Sequence, residues 1–123
     1  MVIKTMEDLN EMDNTYFLFT SDHGYHIGQF GMVKGKSTPY EFDTKIPFYV
    51  SGPKINPATQ LNDIALNIDI APTILGLAGI KAPSHMDGIN LAGIWRGYYN
   101  ETRERIIKPW LQNYSRYIVY ATR

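Results

Sequence analysis

Apolar and polar positions follow two different periods along the first half of the chain. Apolar residues at helical spacing predict an amphipathic helix over 3–12. The uncharged run YFLFT, 16–20, predicts a strand that is buried on both faces, as in a parallel sheet. The run IPFYVSGP, 46–53, predicts a second strand that ends in a Gly-Pro turn. Residues 21–45 are rich in glycine and polar groups and show no period, which is typical of a long functional loop.

The second half of the chain continues this alternation. The run IALN, 64–67, predicts a short strand. Asp69 precedes an apolar helical face that ends before Gly79, so the pattern predicts an N-cap and a C-cap at these two residues. Residues 86–97 predict a turn and a short helix, and the closing YSRYIVYATR, 114–123, predicts a strand without partners in this chain. Helices and strands in this succession favour α/β layers.

The composition of the chain excludes several classes of protein. With 123 residues, 44% of them hydrophobic and 20% charged, the chain is expected to bury a core. The net charge is zero, so the composition predicts no nucleic-acid partner. The chain has no Cys, which excludes disulfides, thiolate metal sites and a cysteine nucleophile in this chain. A continuous apolar run of about 18 residues is also missing, so no transmembrane segment is predicted.

A carboxylate and an imidazole follow the first predicted strand. Asp22 and His23 lie where open α/β sheets bind ligands, beyond the carboxyl end of a strand. Both side chains can face one cation if the backbone turns sharply, and Gly24 permits such a turn. An Asp oxygen suits Ca²⁺ or Mg²⁺ and an imidazole suits Zn²⁺ or iron, so the pair does not select a metal. The alternative is a common surface turn that Asp22 caps.

The long loop also carries cationic side chains that suit an anionic substrate. Lys36 is a candidate to bind sulfate or phosphate oxygens, with Lys34 as a competitor and a solvated loop lysine as the alternative. Glu41 and Asp43 are candidates to orient Lys36, or ordinary loop acids. His26 is a candidate to contact the substrate or to protonate a leaving group, because an imidazole titrates near neutrality. Equally, it can cap a local carbonyl. Three aromatic residues of the loop suit the flanks of a sugar ring or ordinary packing, namely Tyr25, Phe30 and Tyr40.

Four blocks of the sequence occur in an order that closely resembles the later part of the sulfatase catalytic domain. These blocks are T-S-D-H-G, G-K-x-x-x-Y-E, P-F-Y-V-x-G-P and N-I-D-x-x-P-T-I-L, and the resemblance runs from about residue 3 to about residue 97. Within the family, the stretch DHGYHIGQFGMVKGKSTPYEFD is most similar to extracellular heparan sulfate 6-O-endosulfatases. The N-acetylglucosamine-6-sulfatases are near relatives that typically have Asn in place of His23.

The resemblance implies a fold and a division into domains. The implied fold is α/β, a partial alkaline-phosphatase-like mixed sheet with flanking helices, incomplete in this chain. Residues 1–97 would form the C-terminal part of the catalytic domain. Residues 98–123 would begin the region that leads to a smaller C-terminal domain.

The resemblance also implies roles for individual residues. Asp22 and His23 match two calcium ligands of the family, and Lys36 matches the lysine that holds the sulfate group. His26 lies where such enzymes often place a substrate-contacting residue. The sulfatase nucleophile is a formylglycine made from the Cys or Ser of a C/S-x-P-S-R motif, which this chain lacks. The chain is therefore predicted to be a fragment of a calcium- and formylglycine-dependent sulfatase, inactive alone.

The implied substrate is the glucosamine 6-O-sulfate ester of heparan sulfate, a sulfated glycosaminoglycan. The implied location is the secretory pathway, extracellular or at the cell surface, with the lysosome as the alternative. Two sequons, at Asn100 and Asn113, fit a secreted protein. Three other functions stay open: an alkaline-phosphatase-like phosphoesterase, a non-catalytic module that binds sulfated glycans through Lys34 and Lys36, and a purely structural scaffold.

Overall fold

The computed structural model describes residues 1–97 and the backbone of 116–121, apart from the side chains at 62 and 63. The sequons predicted at Asn100 and Asn113 lie outside the described residues. The helices are α1 (Val2–Asp8), α2 (Glu41–Thr44), α3 (Ile70–Leu77) and α4 (Ala92–Trp95). The strands are β1 (Phe17–Phe19), β2 (Lys45–Ser51), β3 (Gln60–Leu66) and β4 (Arg116–Ala121). Short 3₁₀ turns lie at Met12–Asn14, Gln29–Gly31 and Asn67–Asp69.

The described strands form one mixed sheet in the order β1-β2-β4-β3. Strand β1 pairs antiparallel with β2, β2 pairs parallel with β4, and β4 pairs antiparallel with β3. The prediction that β1 is buried on both faces was wrong, because β1 is an edge among the described strands and the Phe19 side chain is 66% exposed. A short uncharged run does not distinguish an edge strand from a central one, since that depends on which strands lie beside it.

The last strand has partners on both sides, which corrects the prediction of an unpaired strand. The backbone of β4 pairs with β2 from Lys45–Arg116 to Val50–Ala121. On its other side it pairs with β3, which begins at Gln60 and is longer than the predicted 64–67. The extra residues of β3 carry no strong strand pattern and are ordered by a distant segment. The division of the chain at residue 97 stays a prediction.

The core lies against one face of β2. Ile46, Phe48 and Val50 alternate with more exposed neighbours along this strand and are buried. The rings of Phe48 and Trp95 meet edge to face, with their centroids 5.5 Å apart. Burial of each large apolar side chain contributes roughly 1.5–3 kcal/mol. This core holds β2 in place. The long loop that follows β1 leads directly into β2.

The predicted C-cap of helix α3 is confirmed, and the predicted N-cap was wrong. Gly79 has φ +75° and follows the helix, and the N–H of Ile80 donates to the Leu75 carbonyl, as in a glycine-terminated helix. The Asp69 side chain, by contrast, does not cap α3. Its carboxylate accepts hydrogen bonds from the backbone N–H groups of Leu66 and Ile89. None of the described helices is long and apolar enough to cross a membrane.

Candidate functional site

Asp22, His23 and Lys36 meet at the start of the long loop. The Nε2 atom of His23 lies 2.8 Å from Nζ of Lys36 and 3.2 Å from a carboxylate oxygen of Asp22. The sequence places Asp22 and His23 side by side, but Lys36 is 13 residues further along the chain than His23. The structure therefore brings together three of the four predicted site residues.

Both ring nitrogens of His23 have polar partners. Its Nδ1 atom lies 2.6 Å from the Gly24 carbonyl oxygen, which only accepts, so Nδ1 carries the proton. Lys36 only donates, so an unprotonated Nε2 would face the ammonium group with its lone pair. Nε2 also lies 3.2 Å from a carboxylate oxygen of Asp22, which only accepts. An unprotonated Nε2 and the Asp22 carboxylate together would offer two electron-rich groups to one cation.

The Asp22 carboxylate is accessible and ionised. Its side chain is 80% exposed, and its carboxylate accepts a hydrogen bond of 3.0 Å from the backbone N–H of His23. Loss of water contacts raises the pKa of Asp22, but the His23 ring and this hydrogen bond lower it by more, so the pKa lies below its usual range. An ionised, exposed carboxylate is ready to bind a metal at neutral pH.

The donor set fits part of a calcium site. Asp22 supplies the oxygen ligand that Ca²⁺ prefers, whereas the imidazole of His23 is a more usual ligand of Zn²⁺ or iron. Across residues 1–97, leaving aside the side chains at 62 and 63, no group of three or more His, Cys, Asp or Glu side chains is arranged to hold a metal. Since Ca²⁺ takes about six to eight oxygen ligands, Asp22 and His23 can supply only a share of them.

Asn67 is a residue of the site that sequence reasoning missed. It follows β3, and its side-chain Nδ2 donates to the backbone oxygen of Asp22 at 2.8 Å. The bond joins the end of β3 to the loop after β1. Its position in the N-I-D block of the sequence suggested a functional or structural role. The block alone does not predict that its partner is Asp22.

His26 lies apart from this group, inside the loop. The residue is 3% exposed, and its Nδ1 lies 3.0 Å from both carboxylate oxygens of Asp43. Its Nε2 lies 3.0 Å from the backbone oxygen of Val33. Both ring nitrogens are therefore engaged by groups of the chain itself. The capping of a local carbonyl is the arrangement seen, and the substrate-contacting role stays a prediction.

The two acids predicted to orient Lys36 have other partners. Asp43 is buried and accepts hydrogen bonds from the backbone N–H and the hydroxyl of Thr38, at 2.8 and 2.6 Å, besides its contact with His26. Glu41 lies 3.5 Å from Lys45 on the surface. Burial raises the pKa of Asp43, but the hydrogen bonds from Thr38 and His26 lower it by more, so the pKa lies below its usual range. Asp43 organises the loop from the inside.

Gly24 is needed for a close approach of two backbone segments. Its N–H donates to the Asp43 carbonyl at 2.8 Å, and a Cβ atom there would overlap the backbone oxygen of Phe42. Gly24 is not among the glycines with positive φ. The predicted reason for this glycine, a sharp turn, is therefore replaced by a steric one: only a hydrogen side chain fits between the two segments.

Aromatic side chains form an exposed group on the same loop. The rings of Phe30 and Tyr40 have centroids 5.7 Å apart, and Tyr40 stacks on Phe42 at 5.2 Å. Phe30 and Tyr40 are exposed, and Tyr25 stacks on His26. Phe30 also has φ +56°, a conformation that is uncommon for a bulky residue and clusters at functional sites.

The family of this protein is shown by a match to the family model Sulfatase, which covers residues 1–80. The match includes β1, β2, β3 and the whole candidate site. Because it covers more than half of the chain, the chain belongs to the sulfatase family. The predicted resemblance is confirmed.

Individual relatives are similar over most of this chain. The extracellular sulfatase SULF-1 homolog of Drosophila melanogaster is 53% identical over 87 residues, which are 71% of this chain and 8% of that protein. The N-acetylglucosamine-6-sulfatase of Homo sapiens is 44% identical over 102 residues, which are 82% of this chain and 18% of that protein. This chain thus spans less than a fifth of the length of either relative.

A solved structure shows the fold. The structure of BT4656 in complex with its substrate D-glucosamine-2-N,6-O-disulfate superposes with a TM-score of 0.71 at 32% identity. The superposition covers 79% of this chain and 20% of that chain. The predicted fold class, a partial alkaline-phosphatase-like α/β domain, is therefore confirmed.

Proposed function

We propose that this chain forms part of a sulfatase that hydrolyses glucosamine 6-O-sulfate esters in heparan sulfate. In this proposal Asp22 and His23 contribute to a calcium site, and Lys36 holds the sulfate group. The observation that carries the proposal is the convergence of these three residues at His23 Nε2, with Lys36 Nζ at 2.8 Å and Asp22 at 3.2 Å.

The chemistry of a sulfate ester suits this group. In its hydrolysis, negative charge shifts onto the sulfate oxygens, and a metal ion with a lysine ammonium can stabilise that charge. Asp22 and His23 would hold the metal, which would compete with Lys36 for the ring of His23. The ammonium of Lys36 would then be available to the substrate. Metal binding and sulfate binding are therefore expected to change the same two residues.

The nucleophile is expected to be a formylglycine in another part of the parent protein. This chain contains neither a Cys nor an S-x-P-S-R motif. The proposal therefore includes that this chain alone does not hydrolyse sulfate esters. Purified chain incubated with heparan sulfate and Ca²⁺ should release no sulfate, and measurable metal-dependent release would contradict this part of the proposal.

The substrate and the location are proposed from the relatives. One similar protein is an N-acetylglucosamine-6-sulfatase, and the BT4656 structure holds a glucosamine bearing a 6-O-sulfate. Two others are named extracellular sulfatases. These names support a sulfated glycosaminoglycan as the partner and the secretory pathway as the location, extracellular or at the cell surface, with the lysosome as the alternative.

Metal binding can be tested on the chain itself by NMR. We expect CaCl₂ to shift the signals of Asp22, His23 and Lys36, with a dissociation constant weaker than about 1 mM because few ligands are present. Asp22→Asn should abolish the shifts. Asp13→Asn, at an exposed acid outside the loop, is the matched control and should leave them unchanged. Shifts that persist in Asp22→Asn would refute the proposed metal site.

Sulfate binding can be tested with glucosamine 6-sulfate as the probe. Lys36→Met should weaken the probe's effect on the His23 signals, whereas Lys34→Met should not. Both lysines are exposed and lie in the same loop, so general loss of positive charge affects the two variants equally. A larger effect of Lys34→Met than of Lys36→Met would indicate that Lys34, and not Lys36, binds the sulfate group.

A non-catalytic glycan-binding role is the second candidate, and the exposed Phe30–Tyr40 pair supports it. Exposed aromatic faces and lysines on one loop suit the apolar faces and the sulfates of a sugar chain. This role predicts retention on heparin without Ca²⁺, and loss of retention in Phe30→Ala. Retention that requires Ca²⁺ and Asp22 would favour the first candidate.

A further inference from the structure

The hydrogen-bond partners of His26 determine its protonation state. Nδ1 faces the two carboxylate oxygens of Asp43, and Nε2 faces the backbone oxygen of Val33, all at 3.0 Å. A carbonyl only accepts, and the carboxylate already accepts two hydrogen bonds from Thr38. Both ring nitrogens must then donate. A ring that donates through both nitrogens is an imidazolium cation.

We propose that His26 is a buried imidazolium and serves as a positioning residue for Lys36 and His23. Its significance for sulfate binding rests on the function proposed above for Lys36, whereas its charge state does not. In this role His26 transfers no proton to the substrate, because both of its protons are held by Asp43 and Val33.

The pair of His26 and Asp43 is connected to both ends of the candidate site. His26 exchanges two backbone hydrogen bonds of 3.0 Å with Gly35, the residue directly before Lys36. The backbone oxygen of Asp43 accepts from the N–H of Gly24, the residue directly after His23, at 2.8 Å. The residue next to Lys36 is therefore hydrogen-bonded to His26, and the residue next to His23 is hydrogen-bonded to Asp43. The same buried pair thus holds the backbone on both sides of the Lys36–His23 contact.

The surroundings of the pair explain how a buried charge is tolerated. A buried ion pair is stable only when its remaining donors and acceptors are satisfied. Here the Asp43 carboxylate accepts from His26 and twice from Thr38, and the second His26 nitrogen donates to Val33. The ring of Phe42 packs against the imidazole edge at 5.8 Å. The cost of burying the charge is offset by these contacts.

The charge state can be read by long-range ¹H–¹⁵N NMR of the histidine rings in the 123-residue chain. We expect both nitrogens of His26 to be protonated at neutral pH and their ring protons to exchange slowly with water. His85, which is exposed, is the internal comparison and should exchange rapidly. A neutral His26 ring with one protonated nitrogen would overturn the proposal.

The positioning role can be read from the reactivity of Lys36 toward acetic anhydride, measured by mass spectrometry. Thr38→Val removes the hydroxyl that donates to Asp43, whereas Thr38→Ser keeps it. Disturbing the pair should release Lys36 from His23 and raise its acetylation roughly two- to fivefold, the effect of one exposed hydrogen bond. We expect this rise in Thr38→Val and not in Thr38→Ser, with Lys81 unchanged as a reference.

A second variant tests His26 directly. His26→Gln provides only one amide group for two acceptors and should also raise the acetylation of Lys36, while His85→Gln should not. Unchanged acetylation of Lys36 in both His26→Gln and Thr38→Val would refute the positioning role. The acetylation measurements use neither Ca²⁺ nor sulfate. They therefore test the positioning role of His26 even if the Ca²⁺ and sulfate binding tests contradict the proposed function.

Discussion

The side-chain Nδ2 of Asn67 donates to the backbone oxygen of Asp22 at 2.8 Å, across 45 positions of the sequence. This bond joins the ends of two strands, β1 and β3, that are not neighbours among the described strands. The Oδ1 atom of Asn67 is buried and, within the described residues, accepts no hydrogen bond. The side chain of Asn67 is therefore held in place mainly by the hydrogen bond that its Nδ2 donates.

Removal of this bond should loosen the turn that carries Asp22 and His23. We expect Asn67→Ala to lower the free energy of unfolding by about 1 kcal/mol, the typical value of one hydrogen bond, and to weaken the Ca²⁺-induced shifts of Asp22. Urea unfolding and NMR titration measure the two effects. Asn14→Ala, at an exposed residue outside the loop, should change neither. Equal effects of the two variants would show that the Asn67 bond has no special role.

Gly24 should not tolerate a larger side chain. A Cβ at residue 24 would overlap the backbone oxygen of Phe42, a residue of α2, and the hydrogen bond from Gly24 to the next carbonyl, that of Asp43, holds the two segments close together. We expect Gly24→Ala to lower the free energy of unfolding by about 1–3 kcal/mol, as overpacking does. At Gly35, the nearest atom to an added Cβ is His26 Nε2 at 3.6 Å, an ordinary contact. Gly35→Ala is therefore the control and should be nearly neutral in urea unfolding.

Acidification should weaken the loop through Asp43. The folded-state pKa of Asp43 is lowered, so its stabilising contribution is present above the ordinary Asp value of about 3.9 and is lost as the pH falls through the lowered pKa. The difference in unfolding free energy between the wild type and Asp43→Asn should therefore narrow as the pH falls below about 4, as measured by urea unfolding.

The control for this pH dependence is Asp22→Asn. The pKa of Asp22 is also lowered, but its carboxylate is largely exposed and solvent screens its interactions. We expect Asp22→Asn to retain most of the acid sensitivity of the wild type. If Asp43→Asn is as acid-sensitive as the wild type, the buried carboxylate is not the group responsible.

The carboxylate of Asp69 should contribute to stability as an acceptor. It is fully buried and accepts from the backbone N–H groups of Leu66 and Ile89 at 2.9 and 2.8 Å. Asp69→Asn directs an amide donor at one of these N–H groups. We expect a loss of about 2–3 kcal/mol, as for a hydrogen bond to a charged group. Asp87→Asn, at an exposed acid, should stay within about 0.5 kcal/mol, a usual limit for surface changes.

Several parts of this fold and site were accessible from the sequence because they depend on local order. The apolar run at 46–53 predicted strand β2, and Gly79 marks the end of α3 since few other residues adopt its backbone conformation. The pairing of Asp22 with His23 was also predictable, because adjacent residues are close in any fold. The motif blocks identified the family correctly.

Other parts depend on partners that are far apart in the sequence. The place of β4 between β2 and β3 is decided by backbone pairing across long separations, which local patterns do not encode. The same holds for the edge position of β1 among the described strands, since its composition resembles that of a central strand. These errors share one cause: the environment of a strand is set by its neighbours.

By itself, the sequence determined the kinds of chemical group in the loop, the order of the elements and membership of the family. Only the tertiary structure decided what those groups do. His26 and Asp43, 17 residues apart, form a hydrogen bond inside the loop, and Asp69 accepts from the N–H of Ile89, 20 residues away, and does not cap its own helix. The physical reason is that the charge and hydrogen bonding of a side chain depend on the groups that surround it, and folding brings those groups from distant positions.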